Sequence, residues 1–432
     1  METGQKRSGI KSRKRAIKRR RRKHAKKVLA VLSVAVVLLA VSLIAIGVAV
    51  NKKVQKTNKE IEAKNLAIER EKAKVEVSLS MVGDVLMHNP TLKSGEKEDG
   101  SYNYDHLFQN VKEHMESVDI SLMNQEVILG GTELGISAYP AFNAPQELGD
   151  ALVNSGFNTI LHATNHTLDR SVKGVNNTLA FWKEKHPEVT VLGIHSSQEE
   201  KDQIYIFEKR GFKIAILNYT YGTNGIKVPE DKPYLLDLMD RGQMEKDIQK
   251  AKELADYVIV CPHWGTEYVF EATDEQKEWT DFFLEQGVDL VIGTHPHVIE
   301  PVEWVEKDGH KMLVFYSLGN FISCQDKWYR MLGAMANVKL LKDADGKVTV
   351  TEYGVEPLVT HIGKKTDYST YYLKDYTEEL AKANRINNLD SSFSLEKIKN
   401  LSKEVFGDLY QEGEEQKEPE ENSEKDEGKK AA

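Results

Sequence analysis

Residues 256–297 read DYVIVCPHWGTEYVFEATDEQKEWTDFFLEQGVDLVIGTHPH. Two short apolar, β-branched runs, YVIVC and VDLVI, flank DEQKEWTDFFLEQG, whose apolar residues recur at helical spacing. Each run ends in imidazole: His263 after the first, His295 and His297 after the second. A strand–helix–strand unit whose strands both run into histidine predicts an α/β protein. Its ligands are expected in the crevice beyond the carboxyl ends of the strands.

The same grammar extends in both directions. The runs VEVSLSMVG (75–83), VDISLMN (118–124), FNTILHAT (157–164), VTVLGI (189–194), KIAILNYT (213–220) and KMLVFYSLG (311–319) read as strands. Between them, PQELGDALVNSG, VKGVNNTLAFWKEKH and RGQMEKDIQKAKELA read as helices. Alternation of this kind favours one open sheet of buried, largely parallel strands. The segments 204–217 and 302–315 place charged and glycine residues between two strand-like halves, as hairpins do, so the sheet is expected to be mixed. No internal repeat is visible.

The strand ends carry the chemistry. Asp84 ends the first; Asn124 and Glu126 follow the second; Asn165 and His166 follow the third. A turn or a helix cap explains any one of these. Five successive strand ends delivering carboxylate, carboxamide and imidazole point instead to one shared site. Oxygen and nitrogen donors without thiolate suit Mn, Fe, Zn or Mg. Two carboxylates and three or four imidazoles exceed the needs of one tetrahedral ion, so two divalent metal ions sharing a bridging carboxylate are expected, with a water activated between them.

Beyond this body the chain changes character. Of its 432 residues 40% are hydrophobic and 29% charged, which excludes disorder throughout; 29 Gly, 11 Pro and 2 Cys exclude collagen-like and disulfide-scaffold classes. Residues 1–27 hold 14 Lys and Arg against the single acid Glu2, whereas the other 405 residues carry 45 against 66 acids. Between the basic end and the acidic body runs VLAVLSVAVVLLAVSLIAIGVAV, residues 28–50, without a charge. At helical rise it can cross a hydrocarbon core of about 30 Å. It is longer than a signal-peptide core and runs straight into Lys52 and Lys53, so a retained anchor is expected. The basic block should stay in the cytoplasm, giving a single-pass cell-membrane protein with its C-terminal domain outside. That block lacks interleaved aromatic residues, so it reads as a topology signal facing anionic lipid, and nucleic acid is not an expected partner. Residues 51–74 read as a polar stalk, 75–410 as the folded domain and 411–432 as a disordered acidic tail.

The series MVGDVLMH, DISLMNQE, FNAP, GFNTILHATNHTLD, CPHWGTEY, GTHPHVIEPVEW and FYSLGNFI resembles the CapA-type family of poly-γ-glutamate capsule synthesis proteins, in order over nearly all of residues 77–325. That family is similar to calcineurin-type metallophosphoesterases. The resemblance therefore implies a four-layer β-sandwich of two mixed sheets flanked by helices, in place of one open sheet, with a dinuclear metal site. Carried over by motif, it implies Asp84, Glu126, Asn165, His263, His295 and His297 as metal ligands, Glu126 bridging. It implies His166 as the group that polarises substrate or protonates the leaving group. Two departures stand out. The superfamily's Asp-x-His motif is absent: Val85 and Leu86 follow Asp84, and His88 is the nearest histidine and a candidate ligand. Glu126 stands where an aspartate is usual. A first metal position that binds weakly or lacks an imidazole is the expectation. Asp169 is expected to orient His166, with Asn124, Thr164 and Glu267 as supporting or substrate groups. Ser317 and Asn320 are expected to donate to a bound oxyanion, turn chemistry being the alternative. Cys261 and Cys324 read as two buried thiols, a disulfide being the alternative.

Three functions compete. One is an anchored metal-dependent hydrolase or transferase acting on an anionic polymer or phosphoester. The second is a non-catalytic accessory module that guides such a polymer for membrane synthase subunits. A structural stalked receptor, the third, leaves the strand-end residues unexplained.

Overall fold

The computed structural model describes residues 3–410, with side chains from Ser12 onward; the tail expected over 411–432 lies outside the described residues. The chain divides into two compact units, residues 1–73 and 74–432. The first is helix α1, Thr3–Ala73, which is continuous through the basic segment, the apolar run and the polar stretch after it. It includes a segment long and apolar enough to cross a membrane, none of it buried.

In the second unit the strands are β1 Val75–Val85, β2 Ile120–Asn124, β3 Thr159–Leu161, β4 Thr190–Leu192, β5 Ile206–Lys209, β6 Phe212–Thr220 and β7 Tyr257–His263. They continue with β8 Leu290–Ile292, β9 Val302–Lys307, β10 His310–Phe315, β11 Asn320–Ile322, β12 Leu332–Lys342, β13 Val348–His361 and β14 Ser369–Tyr372. The main helices are α2 Glu147–Asn154, α3 Ser171–Lys185, α4 Arg241–Leu254, α5 Asp274–Gln286 and α6 Leu395–Phe406.

The strands form two sheets. One runs β14-β13-β12-β1-β2-β3-β4, with β11 added beside the carboxyl end of β1; the other runs β5-β6-β7-β8-β10-β9. Both are mixed: β1-β2-β3-β4 and β6-β7-β8-β10 are parallel, while β12, β13 and β14 and the two hairpins β5-β6 and β9-β10 are antiparallel.

Alternation along the strands builds the layers. Ile214 and Ile216 of β6 and Ile259 of β7 share a core with Val77, Leu79 and Met81 of β1 and Leu122 of β2. Leu148 and Leu152 of α2 and Phe181 and Trp182 of α3 bury into the same core. The intervening residues Ala215, Leu217, Val258 and Val260 face the other way, against Met244, Ile248 and Ala251 of α4 and Phe283 of α5. Two mixed sheets flanked by helices result. This corrects the single open sheet favoured by alternation alone. Parallel β–α–β units read identically in either sheet, and the chain changes sheet between β4 and β5 and again between β10 and β11, where no local signal marks the switch.

Beyond residue 325 the sequence reading assigned no elements. There β12 pairs antiparallel with β1 from Val75↔Lys342 to Val82↔Met335, and α6 buries Ile398, Leu401 and Phe406. Strands β12, β13 and β14, within residues 332–372, are thus built into the first sheet.

Candidate metal centre

The carboxyl ends of β1, β2, β7 and β8 converge, and close backbone approach is what lets them. A Cβ on Gly83, just before Asp84, would lie 1.9 Å from Gly319 O; one on Gly293, just before Thr294, would lie 2.1 Å from Tyr316 O. Only glycine fits at either place. Asp84 accepts from Asn124 Nδ2 at 2.9 Å and meets His297 Nδ1 at 3.0 Å. The main-chain N–H of His295 lies 3.3 Å from Asp84 Oδ2. His263 Nε2 is 3.0 Å from Asn165 Oδ1 and 3.8 Å from Glu126 Oε1, and its Nδ1 is 3.1 Å from Thr294 Oγ1. Glu126 Oε1 is also 3.6 Å from His297 Nε2.

Glu126 is the decisive residue. It is 1% exposed, and neither carboxylate oxygen has a hydrogen-bond partner among the described residues; His295 Nδ1 is likewise buried and unpartnered. Leaving a buried carboxylate unpaired is expensive unless it is protonated or a cation compensates it. Three donor triads meet here, each with its atoms within 4.8 Å of one another: Glu126–His263–His295, Glu267–His295–His297 and Asp84–Glu126–His297. The donors therefore fit metal, and Glu126 is common to two of the triads.

Electrostatics agree. Burial first, then the charges of Asp84, Glu267 and Asp169, raise the Glu126 carboxyl well above its ordinary range. Burial, then the neighbouring imidazoles, hold His263 and His295 well below theirs. Neutral imidazoles beside a carboxyl that resists ionising are the donor set a cation would meet, the carboxyl giving up its proton on binding.

His166 lies at the side of this cluster. Its Nδ1 is 2.7 Å from Asp169 Oδ2, which also accepts from Phe142 N at 2.7 Å. The Phe142 ring packs edge-on against His166 with centroids 4.8 Å apart. Thr164 Oγ1 donates to Glu126 O at 2.9 Å and accepts from His166 N at 3.2 Å, so one hydroxyl ties the two loops together. Asn124, Thr164 and Glu267 all touch the cluster, Glu267 from the exposed side.

Other expectations need correction. His88 is half-buried near His297 and His166, but its Nδ1 accepts from Cys324 N at 3.2 Å. A main-chain N–H can only donate, so the ring proton sits on Nε2 and His88 is a donor in this orientation, not a ligand. Burial, then His297 and His166, push its pKa down to about 4. Ser317 Oγ donates to Val298 O, and Asn320 Nδ2 donates to His297 O, Gln325 Oε1 and Arg330 O. Their donors hold the turn, leaving none for an oxyanion. His295 and His297 lie beyond β8, which ends at Ile292, and both have positive φ, 102° and 57°. Positive φ at a non-glycine residue is strained, and here it turns both rings to the centre. Cys261 and Cys324 are free thiols.

Two residues at the site were missed. The Tyr221 ring lies 4.7 Å from that of His295. Asn224 Oδ1 accepts from Asn165 Nδ2 at 3.2 Å, and its Nδ2 is 3.4 Å from His166 Nδ1. The signal was present: both follow the carboxyl end of β6, where the strand-end rule had not been applied.

Residues 78–325 match the family model described as bacterial capsule synthesis protein PGA_cap. The PGA biosynthesis protein CapA of Bacillus subtilis (strain 168) is 29% identical over 279 residues, covering 64% of this chain and 70% of that one. The capsule biosynthesis protein CapA of Bacillus anthracis is 27% identical over 270 residues, covering 60% and 63%. Among solved structures, the Haemophilus influenzae NAD nucleotidase is similar with a TM-score of 0.42 and 14% identity, covering 77% of this chain and 67% of that one. A purple acid phosphatase from yellow lupin is similar with a TM-score of 0.28 and 12% identity, covering 64% and 53%. With its match spanning more than half of the residues and containing every strand end of the centre, the chain belongs to the bacterial capsule synthesis protein family PGA_cap.

Proposed function

We propose that this is a membrane-anchored protein of capsule biosynthesis whose domain outside the cell uses a two-metal centre to hydrolyse or transfer a bond in poly-γ-glutamate or a related anionic envelope polymer. Residues 28–50 span the membrane, 51–74 form the stalk and 75–410 the working domain, beside membrane synthase subunits. The observation that carries the metal-dependent reading is Glu126: fully buried, unpartnered at both oxygens and common to two donor triads.

Asp84, Glu126, Asn165, His263, His295 and His297 would hold the ions. Bound divalent metal supplies Lewis acidity and a water that ionises near neutral pH. His166, held by Asp169, keeps its Nε2 for a proton of the leaving group, and the carboxylate stabilises the imidazolium that donates it. Phe142 shields that pair from one side.

Metal analysis of the purified full-length chain tests this. Wild type should carry divalent metal, and Glu126→Ala or His263→Ala should lose it while keeping the circular dichroism of the fold. A wild-type protein that holds none and gains none on dialysis sinks the proposal. One observation favours the accessory reading instead. His88 does not replace the missing Asp-x-His imidazole, which leaves the first metal position poor in nitrogen. Full polymer production in cells carrying His166→Ala would select it.

A further inference from the structure

Arg330 lies five residues past the stretch matched by the family model, in the short 3-10 turn Trp328–Met331. Its guanidinium carbon sits 3.5 Å over the Tyr268 ring, and that ring's centroid is 6.0 Å from the His297 imidazole. Gln325 Nε2 donates to the Tyr268 hydroxyl at 3.3 Å, and Gln325 Oε1 accepts from Asn320 Nδ2 at 3.0 Å. The same Asn320 Nδ2 reaches His297 O at 3.3 Å and Arg330 O at 3.0 Å. Arg330 is thus fastened to the histidine rim by an aromatic ring and by a carboxamide.

Its charge is poorly used where it stands. Nη1 meets Asp326 Oδ1 at 2.8 Å, but Asp326 is 64% exposed, so water screens the pair and it contributes little to stability. Nε is buried without a hydrogen-bond partner among the described residues, while the side chain keeps 16% of its surface open. A planar, permanently charged fork, stacked flat on an aromatic ring with donors to spare, is built to take a carboxylate or phosphate through parallel hydrogen bonds. The surroundings call for such a cation. Asp84, Glu267 and Asp169 crowd the centre with negative charge, and the chain after residue 27 is strongly acidic. An anionic chain approaching this rim needs a local positive charge besides the metals.

We propose that Arg330, stacked on Tyr268, is an oxyanion subsite at the rim of the metal centre that holds a carboxylate of the polymer next to the bond presented to the metals. The anion displaces the exposed Asp326 side chain from the guanidinium. This rests on the polymer reading above, and it assigns a substrate contact to a part of the chain outside the family match.

Calorimetric titration of the metal-loaded full-length chain in detergent tests it, with a γ-linked glutamate hexamer as one probe and inorganic phosphate as the other. Arg330→Gln should weaken hexamer binding by about tenfold or more, as loss of a charged hydrogen-bonding partner does, and flatten its dependence on salt, with metal content unchanged. Arg330→Lys should recover only part of the affinity; full recovery would overturn the planar clamp. Unchanged hexamer affinity in Arg330→Gln overturns the subsite, and an effect on phosphate alone overturns the carboxylate assignment. Loss of metal together with hexamer binding would make Arg330 a positioning residue for His297 and also overturn it. If wild type takes up no metal, the two-metal reading falls separately, and the hexamer titrations on metal-free protein still read the subsite.

Discussion

At the scale of the residue, His166 separates catalysis from scaffolding. Asn165 beside it already supplies an oxygen to the centre, 3.0 Å from His263 Nε2, so His166 is free for a different task. Its Asp169 bond at 2.7 Å fixes which nitrogen faces outward. Replacing His166 with Ala should leave metal content intact and lower turnover of a substrate with a poor leaving group by about 10²–10⁴-fold. An activated ester, whose leaving group needs no proton, should suffer far less. Steady-state kinetics on the two substrates with parallel metal analysis is the check, and equal losses on both would remove the proton-donor role. Of the site residues, those identified by motif were readable because each motif sits at a strand end. Tyr221 and Asn224 carried the same signal just beyond the carboxyl end of β6, but their partners there, His295, Asn165 and His166, depend on where the loop folds back.

At the scale of the element, the parallel pair β7–β8 is latched by a half-buried acid. Asp289, just before β8, accepts from Val258 N of β7 at 2.8 Å. Burial pushes its pKa up to about 6, against opposing effects of the Val258 hydrogen bond, His310 and Lys252. The folded state therefore binds the proton more tightly than the unfolded chain, whose carboxyl titrates near 3.8. The protonated group favours folding fully below about pH 4, and that contribution is lost as pH rises through about 6. Asparagine can accept the same N–H without ionising. Asp289→Asn should thus gain stability over wild type at pH 7, by roughly 1–3 kcal/mol at most, and gain nothing near pH 4. Denaturant unfolding at both pH values measures it; an equal gain at both would show that ionisation is not the cause.

At the scale of the molecule, the proposed topology rests on charge. It sets a basic amino end and an acidic body on opposite sides of a membrane spanned by the uncharged 23-residue run. A reporter active only in the cytoplasm, fused after Leu409, should be silent, while one active only outside should work. Cytoplasmic activity at that position would reverse the proposed topology. Arg330 belongs to this scale too, because it reaches the rim from a segment that the first sheet recruits through β12.

The sequence alone determined the elements and the chemistry. Periodicity placed the apolar strands and the main helices up to residue 319, because burial on one face or both leaves a local pattern. Strand-end side chains declared a shared oxygen-and-nitrogen site, because parallel strands deliver their carboxyl ends to one edge. Tertiary structure alone decided which sheet each strand joins, since sheet membership is a choice between long-range partners that leaves no local mark. It also decided that β12, β13 and β14 complete the first sheet, and that Nδ2 of Asn320 donates to main-chain carbonyls instead of an oxyanion. His88 shows the limit most plainly. Its spacing from Asp84 made it a candidate ligand, but one hydrogen bond from Cys324, 236 residues away in the chain, assigns its ring proton and makes it a donor.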